Sequence, residues 1–171
     1  MQHATEPALL AARELLREAT PLKTDCGRLC GAACCLPEHS QDGQPSGMYL
    51  FPGEERLYGP DDAWARVLPT DWAVAGRNVP LLVCQGACPR QNRPLACRLF
   101  PLCARRDGQW YALGLDPRGW PVCPLMPHGL AALNPAFVSA AQAALSVLWA
   151  CPEQRAFLLA LDGLLAQFES L

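Results

Sequence analysis

The sequence predicts a single α+β domain, with helices at both ends of the chain and an irregular, cysteine-rich centre that carries short hairpins. Three observations predict it. Apolar residues recur at helical spacing only near the two termini. Seventeen prolines, where average usage of about 5% gives roughly nine, and thirteen glycines call for much turn-rich backbone. In the middle, short apolar runs flank Gly76-Arg77-Asn78 and Asp107-Gly108, which are turn signals. The 171 residues are half apolar and 18% charged, a globular composition long enough to bury one core. No repeat or linker divides residues 1–171; a cysteine-cluster core is expected over about 24–125 and a helical pair over about 134–169.

From the start, Thr5 to about Thr20 reads as an amphipathic helix. Thr5 is placed as N-cap, Pro7 in the first turn, and Ala8, Leu9, Ala12, Leu15, Leu16 and Ala19 on one stripe. Pro37 to Gly47 reads as a polar loop and Met48 to Phe51 as a short strand. Asp61-Asp62 before Ala63-Trp64 reads as a helix N-cap. Trp72–Ala75 and Val79–Cys84 are expected to pair as one hairpin, Leu102–Arg105 and Gln109–Leu115 as another. Asn134 caps the next helix, which buries Phe137, Ala141, Ala144, Leu145 and Leu148. The last, about Pro152 to Glu169, buries Phe157, Leu158, Leu161, Leu164, Leu165 and Phe168.

Composition excludes several functions. A net charge of −2 makes no general case for nucleic acid or an anionic membrane. Glu6, Arg13, Glu14, Arg17 and Glu18 interrupt any secretory apolar region, so a cytoplasmic, reducing setting is expected. Gly119 to Pro152 lacks charge, but the stretch after Asn134-Pro135 spans about 24 Å, short of a ~30 Å bilayer core. Neither a dinucleotide-binding glycine loop, a Walker A sequence nor a G-x-S-x-G elbow occurs.

Ten cysteines carry the chemistry. In a reducing compartment, thiols at this density are metal ligands before they are disulfides. Cys26, Cys30, Cys34 and Cys35 fall in one ten-residue window; Cys84, Cys88, Cys97 and Cys103 form a second group; Cys123 and Cys151 stand alone. On a continuous helix Cys26 and Cys34 would lie about 12 Å apart, too far for one zinc ion with ~2.3 Å bonds. Gly27 and Gly31 are the places where backbone can wrap around a centre, unless the thiols divide between two. From Trp72 to Arg106 there are six arginines and no acid, leaving −8 on the rest of the chain. Arg93 and Arg98, which bracket Cys97, are expected to donate to anionic thiolates; an anionic partner is the lesser alternative. Of the histidines, His3 and His39 read as solvated and His128 as a minor ligand candidate.

The double cysteine Cys34-Cys35, followed by Cys88, Arg93, Pro94, Cys97, Arg98, Phe100 and Pro101 in C-x4-R-P-x2-C-R-x-F-P spacing, resembles the CxxCxxCC family of zinc- or iron-chelating, YkgJ-like cysteine cluster proteins. The resemblance runs from about Cys26 to Cys103. The first cluster departs from it, reading CxxxCxxxCC, and Pro89-Arg90 stands where the family commonly has Ile-Tyr. The resemblance implies a thiolate-bound metal and leaves zinc or iron–sulfur open. Wider ligand spacing favours an iron–sulfur cluster of the 4Fe-4S type, with an electron-transfer or redox role; generic stabilisation of loop-rich backbone favours structural Zn2+. An enzymatic role is the weaker expectation. The wider family includes flagellin lysine N-methylases, which makes methyl transfer one alternative, and Cys34-Cys35 or Cys84/Cys88 could instead form a redox switch.

Overall fold

The structure, a computed structural model, describes residues 5–35, 47–85 and 88–170. The polar loop expected over Pro37 to Gly47 lies outside the described residues except for its last position. The architecture is α+β, with helices at the ends and short antiparallel pairings between them.

Helix α1 (Thr5–Leu15) buries Leu9 and Ala12, and Leu16 just beyond it, against helix α4 (Pro135–Ala150). Two expectations for α1 are corrected. It ends about five residues early: the Leu16 N–H still bonds the Ala12 carbonyl, but the Arg17 N–H closes a tighter turn onto the Glu14 carbonyl and the helix stops. Thr5 does not cap; its hydroxyl donates to Glu153 at the start of helix α5 (Pro152–Leu165). Helix α4 begins as expected, with Asn134 accepting the Ala136 N–H at 3.1 Å and Pro135 at the first helical position. Helices α4 and α5 meet at Cys151 with a bend of 115°. No single helix among the described residues is long and apolar enough to cross a membrane. Phe168 leaves the expected core stripe, because the chain tightens into a 3-10 turn over Ala166–Ser170 and carries that ring to the surface.

The centre begins with a one-turn helix α2 (Gly27–Cys30). Strand β1 (Gly47–Tyr49) then pairs with β5 (Leu81–Cys84), which also pairs with β2 (Ala65–Leu68), giving an antiparallel sheet in the order β1-β5-β2. Met48 and Val67 both register on Leu82, whose side chain is fully buried. The expected hairpin between Trp72–Ala75 and Val79–Cys84 is therefore corrected. Ala75 and Gly76, both at positive φ, make a two-residue turn that pairs β3 (Ala73–Val74) with β4 (Arg77–Asn78) and frees Leu81-Leu82-Val83 to be a central strand. The expected helix after Asp61-Asp62 is also absent. The Asp62 carboxylate accepts the Gly59 N–H and the Trp64 indole N–H, and the chain runs directly into β2.

Helix α3 (Leu95–Leu99) leads into the second expected hairpin, β6 (Leu102–Asp107) and β7 (Trp110–Leu115), with Leu102 opposite Leu115 and Asp107 opposite Trp110. Arg105 on β6 joins Asp162 of α5 at 2.7 Å and Glu169 at 2.5 Å, locking the hairpin against the C-terminal helix. One core gathers Phe137, Leu145 and Leu148 of α4 and Phe157 and Leu158 of α5 with Leu95, Leu99 and Leu102. A smaller cluster of Leu50, Ala65 and Leu82 lies under Cys84.

Candidate metal centre

All ten cysteines are free thiols. Eight of them are gathered from four stretches of chain into one neighbourhood, and the local backbone explains how.

The first stretch is not a continuous helix. Asp25 accepts the Gly27 N–H at 3.1 Å, α2 makes a single turn, and Gly31 (φ 62°) and Ala32 (φ 57°) both take left-handed backbone. The Ala32 N–H closes onto the Gly27 carbonyl, and a 3-10 turn carries Ala33–Cys35 back over the helix. Of the two glycines expected to permit wrapping, Gly31 does so and Gly27 sits in ordinary helix. The Cys34 and Cys35 sulfurs stand 3.9 Å apart. Cys34 is exposed while Cys26, Cys30 and Cys35 are half-buried.

The second and third stretches are the end of β5, with Cys84, and the run from Cys88 to α3, with Cys97. Each of Cys84, Cys88 and Cys35 raises the cost of a thiolate at Cys97, whose thiol burial pushes well above its ordinary range. Burial and the neighbouring Cys88 and Cys35 hold Cys84 up at about 11. Arg93 lies at the middle of this group. Its charged form is favoured by Cys88, Cys35 and Cys97, and it lowers the cost of negative charge at Cys26, Cys35, Cys84 and Cys97. The pair Cys34–Cys35 shares one proton between two sulfurs, so Cys35 falls to about 6 while Cys34 rises.

The fourth stretch supplies Cys123. Burial pushes its thiol up, against smaller opposing contributions from the Leu125 and Met126 backbone, while the Met126 N–H itself bonds the Cys123 carbonyl at 3.2 Å. Cys123 adds to the charge felt by Cys26, as Cys30 does at Cys123. Sequence left Cys123 undecided, and its only distinguishing mark was Cys123-Pro124 standing before a turn.

Three predicted residues lie elsewhere or act differently. Cys103 is in β6 opposite Gly114, buried in the main core, and burial beside Asp116 pushes its thiol up to about 12. No cysteine is among the groups acting on it, so its fit as a small apolar residue replaces its expected place among the ligands. Arg98 does not reach the thiols. Its guanidinium donates to the carbonyls of Arg93 (2.8 Å) and Gln91 (2.7 Å), with a longer contact to Arg13 (3.4 Å). His128 is exposed at the end of a 3-10 turn. Cys151, left ambiguous by sequence, is buried where α4 meets α5.

Sequence reasoning missed Glu54. It has no solvent exposure, and its carboxylate accepts Arg13 at 2.6 Å, the Leu95 N–H at 2.7 Å and the Phe51 N–H at 3.2 Å. Nothing in Gly53-Glu54-Glu55-Arg56 distinguishes Glu54 from a surface turn residue. Tyr58, beside it, donates to the Asn92 carbonyl at 3.1 Å and accepts from Arg13 at 3.3 Å.

Among the described residues the grouped donors are sulfurs with the Arg93 guanidinium beside them, and Asp25 is the carboxylate that acts on Cys26 and Cys35. In the present arrangement no three histidine, cysteine or acidic side chains among the described residues converge closely enough to hold one metal ion. Comparison with protein-family models, with curated proteins and with solved structures finds no match to this chain.

Proposed function

We propose that this chain is a metal-binding protein whose clustered cysteines hold an iron–sulfur cluster, with an electron-transfer or redox role. The observation that carries the reading is the gathering of eight thiols from four stretches into one neighbourhood, five of them (Cys26, Cys35, Cys84, Cys88 and Cys97) acting with Arg93. Burial makes an isolated thiolate costly at Cys26, Cys84, Cys97 and Cys123, and a bound metal is the ordinary means by which such a group becomes a stable anion. Two ligand groups follow from the neighbours each thiol has. Cys35, Cys84, Cys88 and Cys97 surround Arg93, and Cys26, Cys30 and Cys123 face one another beyond it, with Cys34 between the two. A cluster is larger than a single ion, so its ligand sulfurs stand further apart, which suits thiols contributed by separate loops. The resemblance of the Cys88-to-Pro101 motif to CxxCxxCC proteins supports membership of that family and the same chemistry.

Structural zinc is the second reading, and one distance favours it. The 3.9 Å between the Cys34 and Cys35 sulfurs is close to the edge of a tetrahedral zinc thiolate, about 3.8 Å for 2.3 Å bonds. The deciding experiment is a count of iron, zinc and acid-labile sulfide per chain on protein purified without oxygen, with a visible spectrum of the same sample. Iron with matching sulfide and broad absorbance is expected. Colourless protein with stoichiometric zinc would replace the cluster by a structural ion. Folded protein free of both metals would overturn the reading.

A further inference from the structure

We infer that Glu54, Tyr58 and Arg98 are positioning residues that fix the backbone between Cys88 and Cys97, and so set where those sulfurs and Arg93 stand before any metal arrives. The inference rests on the metal-binding reading above.

The backbone from Gln91 to Leu95 is held group by group. Gln91 and Arg93 give their carbonyls to Arg98, Asn92 gives its carbonyl to Tyr58, and Leu95 gives its N–H to Glu54. The Asn92 and Arg93 N–H groups close local turns onto Pro89 and Arg90, and Pro94 has no N–H to place. Every backbone donor from Asn92 to Leu95 is thus paired, in a segment with no sheet or long helix to do so. Arg13 ties the partners together by reaching both Glu54 and Tyr58.

Among the described residues none of these side chains hydrogen-bonds a sulfur, and Tyr58 alone of them stands near enough to Cys97 to feel its charge. Glu54 and Tyr58 come from a turn without cysteines, and Arg13 from α1, so their effect on a metal is through the loop they hold. A segment ordered at folding does not have to be ordered again at binding, which makes the ligands it carries bind more tightly. Groups that support metal ligands from behind are commonly worth 10- to 100-fold in affinity. Lysine at position 98 would keep the charge but could not span two carbonyls as the planar guanidinium does.

The test uses the full chain, reduced and freed of metal without oxygen. Zn2+ affinity is measured by competition with a chelator for the wild type, Tyr58→Phe, Arg98→Lys and the control Asp162→Asn. Asp162 of α5 accepts from the Arg105 guanidinium and the Arg106 N–H of β6 and bonds no group between Cys88 and Cys97. We expect roughly tenfold weaker binding for Tyr58→Phe and 10- to 100-fold for Arg98→Lys, with the control at the wild-type value. Equal affinity in both loop variants and the control would overturn the inference while leaving metal binding intact. No zinc bound by the wild type would instead remove the function it rests on. If Arg98→Lys does not fold, Tyr58→Phe decides alone, since it deletes one hydroxyl and keeps the ring.

Discussion

The carboxylate of Glu54 accepts the backbone N–H of Leu95 at 2.7 Å, so helix α3, which carries Cys97, starts on a side chain from 41 residues earlier. Removing that carboxylate strands two buried N–H groups and the Arg13 guanidinium together. Glu54→Ala is expected to cost about 3–5 kcal/mol, the range for breaking a buried ion pair on one side. Glu54→Gln is expected to cost about 1–3 kcal/mol, because its amide nitrogen would face the Phe51 N–H and leave a donor unpaired. Urea unfolding of both variants measures this, and a loss under 1 kcal/mol for the alanine variant would contradict it.

The same residue gives a pH dependence of known sign. Burial outweighs its three donors and holds the Glu54 carboxyl above the usual glutamate range. The folded chain therefore takes up that proton at a higher pH than the unfolded chain does. Stability from this group is full below the unfolded pKa, about 4.3, and is lost as pH rises through the folded value. With Glu54→Gln as the non-titrating reference, the stability advantage of the wild type is expected to shrink as pH rises from 4 towards neutrality. An advantage that grows over that interval would reverse the assignment.

Gly27 and Gly31 look alike in sequence and differ in the structure. Gly31 takes φ 62°, where any side chain is strained even though nothing lies within 4 Å. Gly27 is in helix α2, and an added methyl there would meet only ordinary contacts from 3.4 Å outward. Gly31→Ala is expected to lose about 1–2 kcal/mol and to retain less metal. Gly27→Ala is expected to be neutral or to gain up to about 1 kcal/mol from helix propensity. Thermal unfolding and metal content of the pair check both signs.

Much of this was legible in the sequence where one local pattern decides the outcome. Asn134-Pro135 started α4 as a capped helix, and the run flanking Asp107-Gly108 folded into β6 and β7, because cap and turn chemistry act over a few residues. Leu81-Leu82-Val83 was paired wrongly, since an apolar run does not name its partner and the tight Ala75-Gly76 turn had already taken β3. Arg93, singled out by the absence of acids around it, stands beside Cys35, Cys88 and Cys97. Arg98 carried the same signal, yet its guanidinium was drawn to backbone carbonyls that only the folded loop between Cys88 and Cys97 presents. Glu54 could not be found at all, because its partners are Arg13 and Leu95, far away on both sides in sequence.

Cys97 and Cys103 are six residues apart and separate into different roles. Burial in the main core, opposite Gly114, makes Cys103 a packing residue. Cys103→Ala is expected to keep the full metal content and to cost about 1 kcal/mol for the small void. Cys97→Ala is expected to lower metal per chain, because Cys97 stands among Cys84, Cys35 and Cys88 beside Arg93. Metal analysis of the two variants separates them. Loss of metal in Cys103→Ala at retained stability would return that thiol to the ligand set.

Thiol reactivity in the reduced, metal-free chain offers a second view of the same cluster. The shared proton of Cys34 and Cys35, with Arg93 nearby, lets the pair form its first thiolate at about 6. Burial keeps Cys84 protonated to about 11 and Cys103 to about 12. Because the thiolate is the nucleophile, iodoacetamide at pH 7 is expected to modify the Cys34–Cys35 peptide first, with one equivalent taken up rapidly. Below pH 5 that rate should fall away as the pair regains its proton. Cys84 and Cys103 should stay unmodified until the chain unfolds. Peptide mapping by mass spectrometry over a pH series reads all of these, and early labelling of Cys103 would contradict its place in the core. On the proposed function metal takes up these same thiolates, so the rapid equivalent is expected to disappear when the protein is loaded with Zn2+ before alkylation.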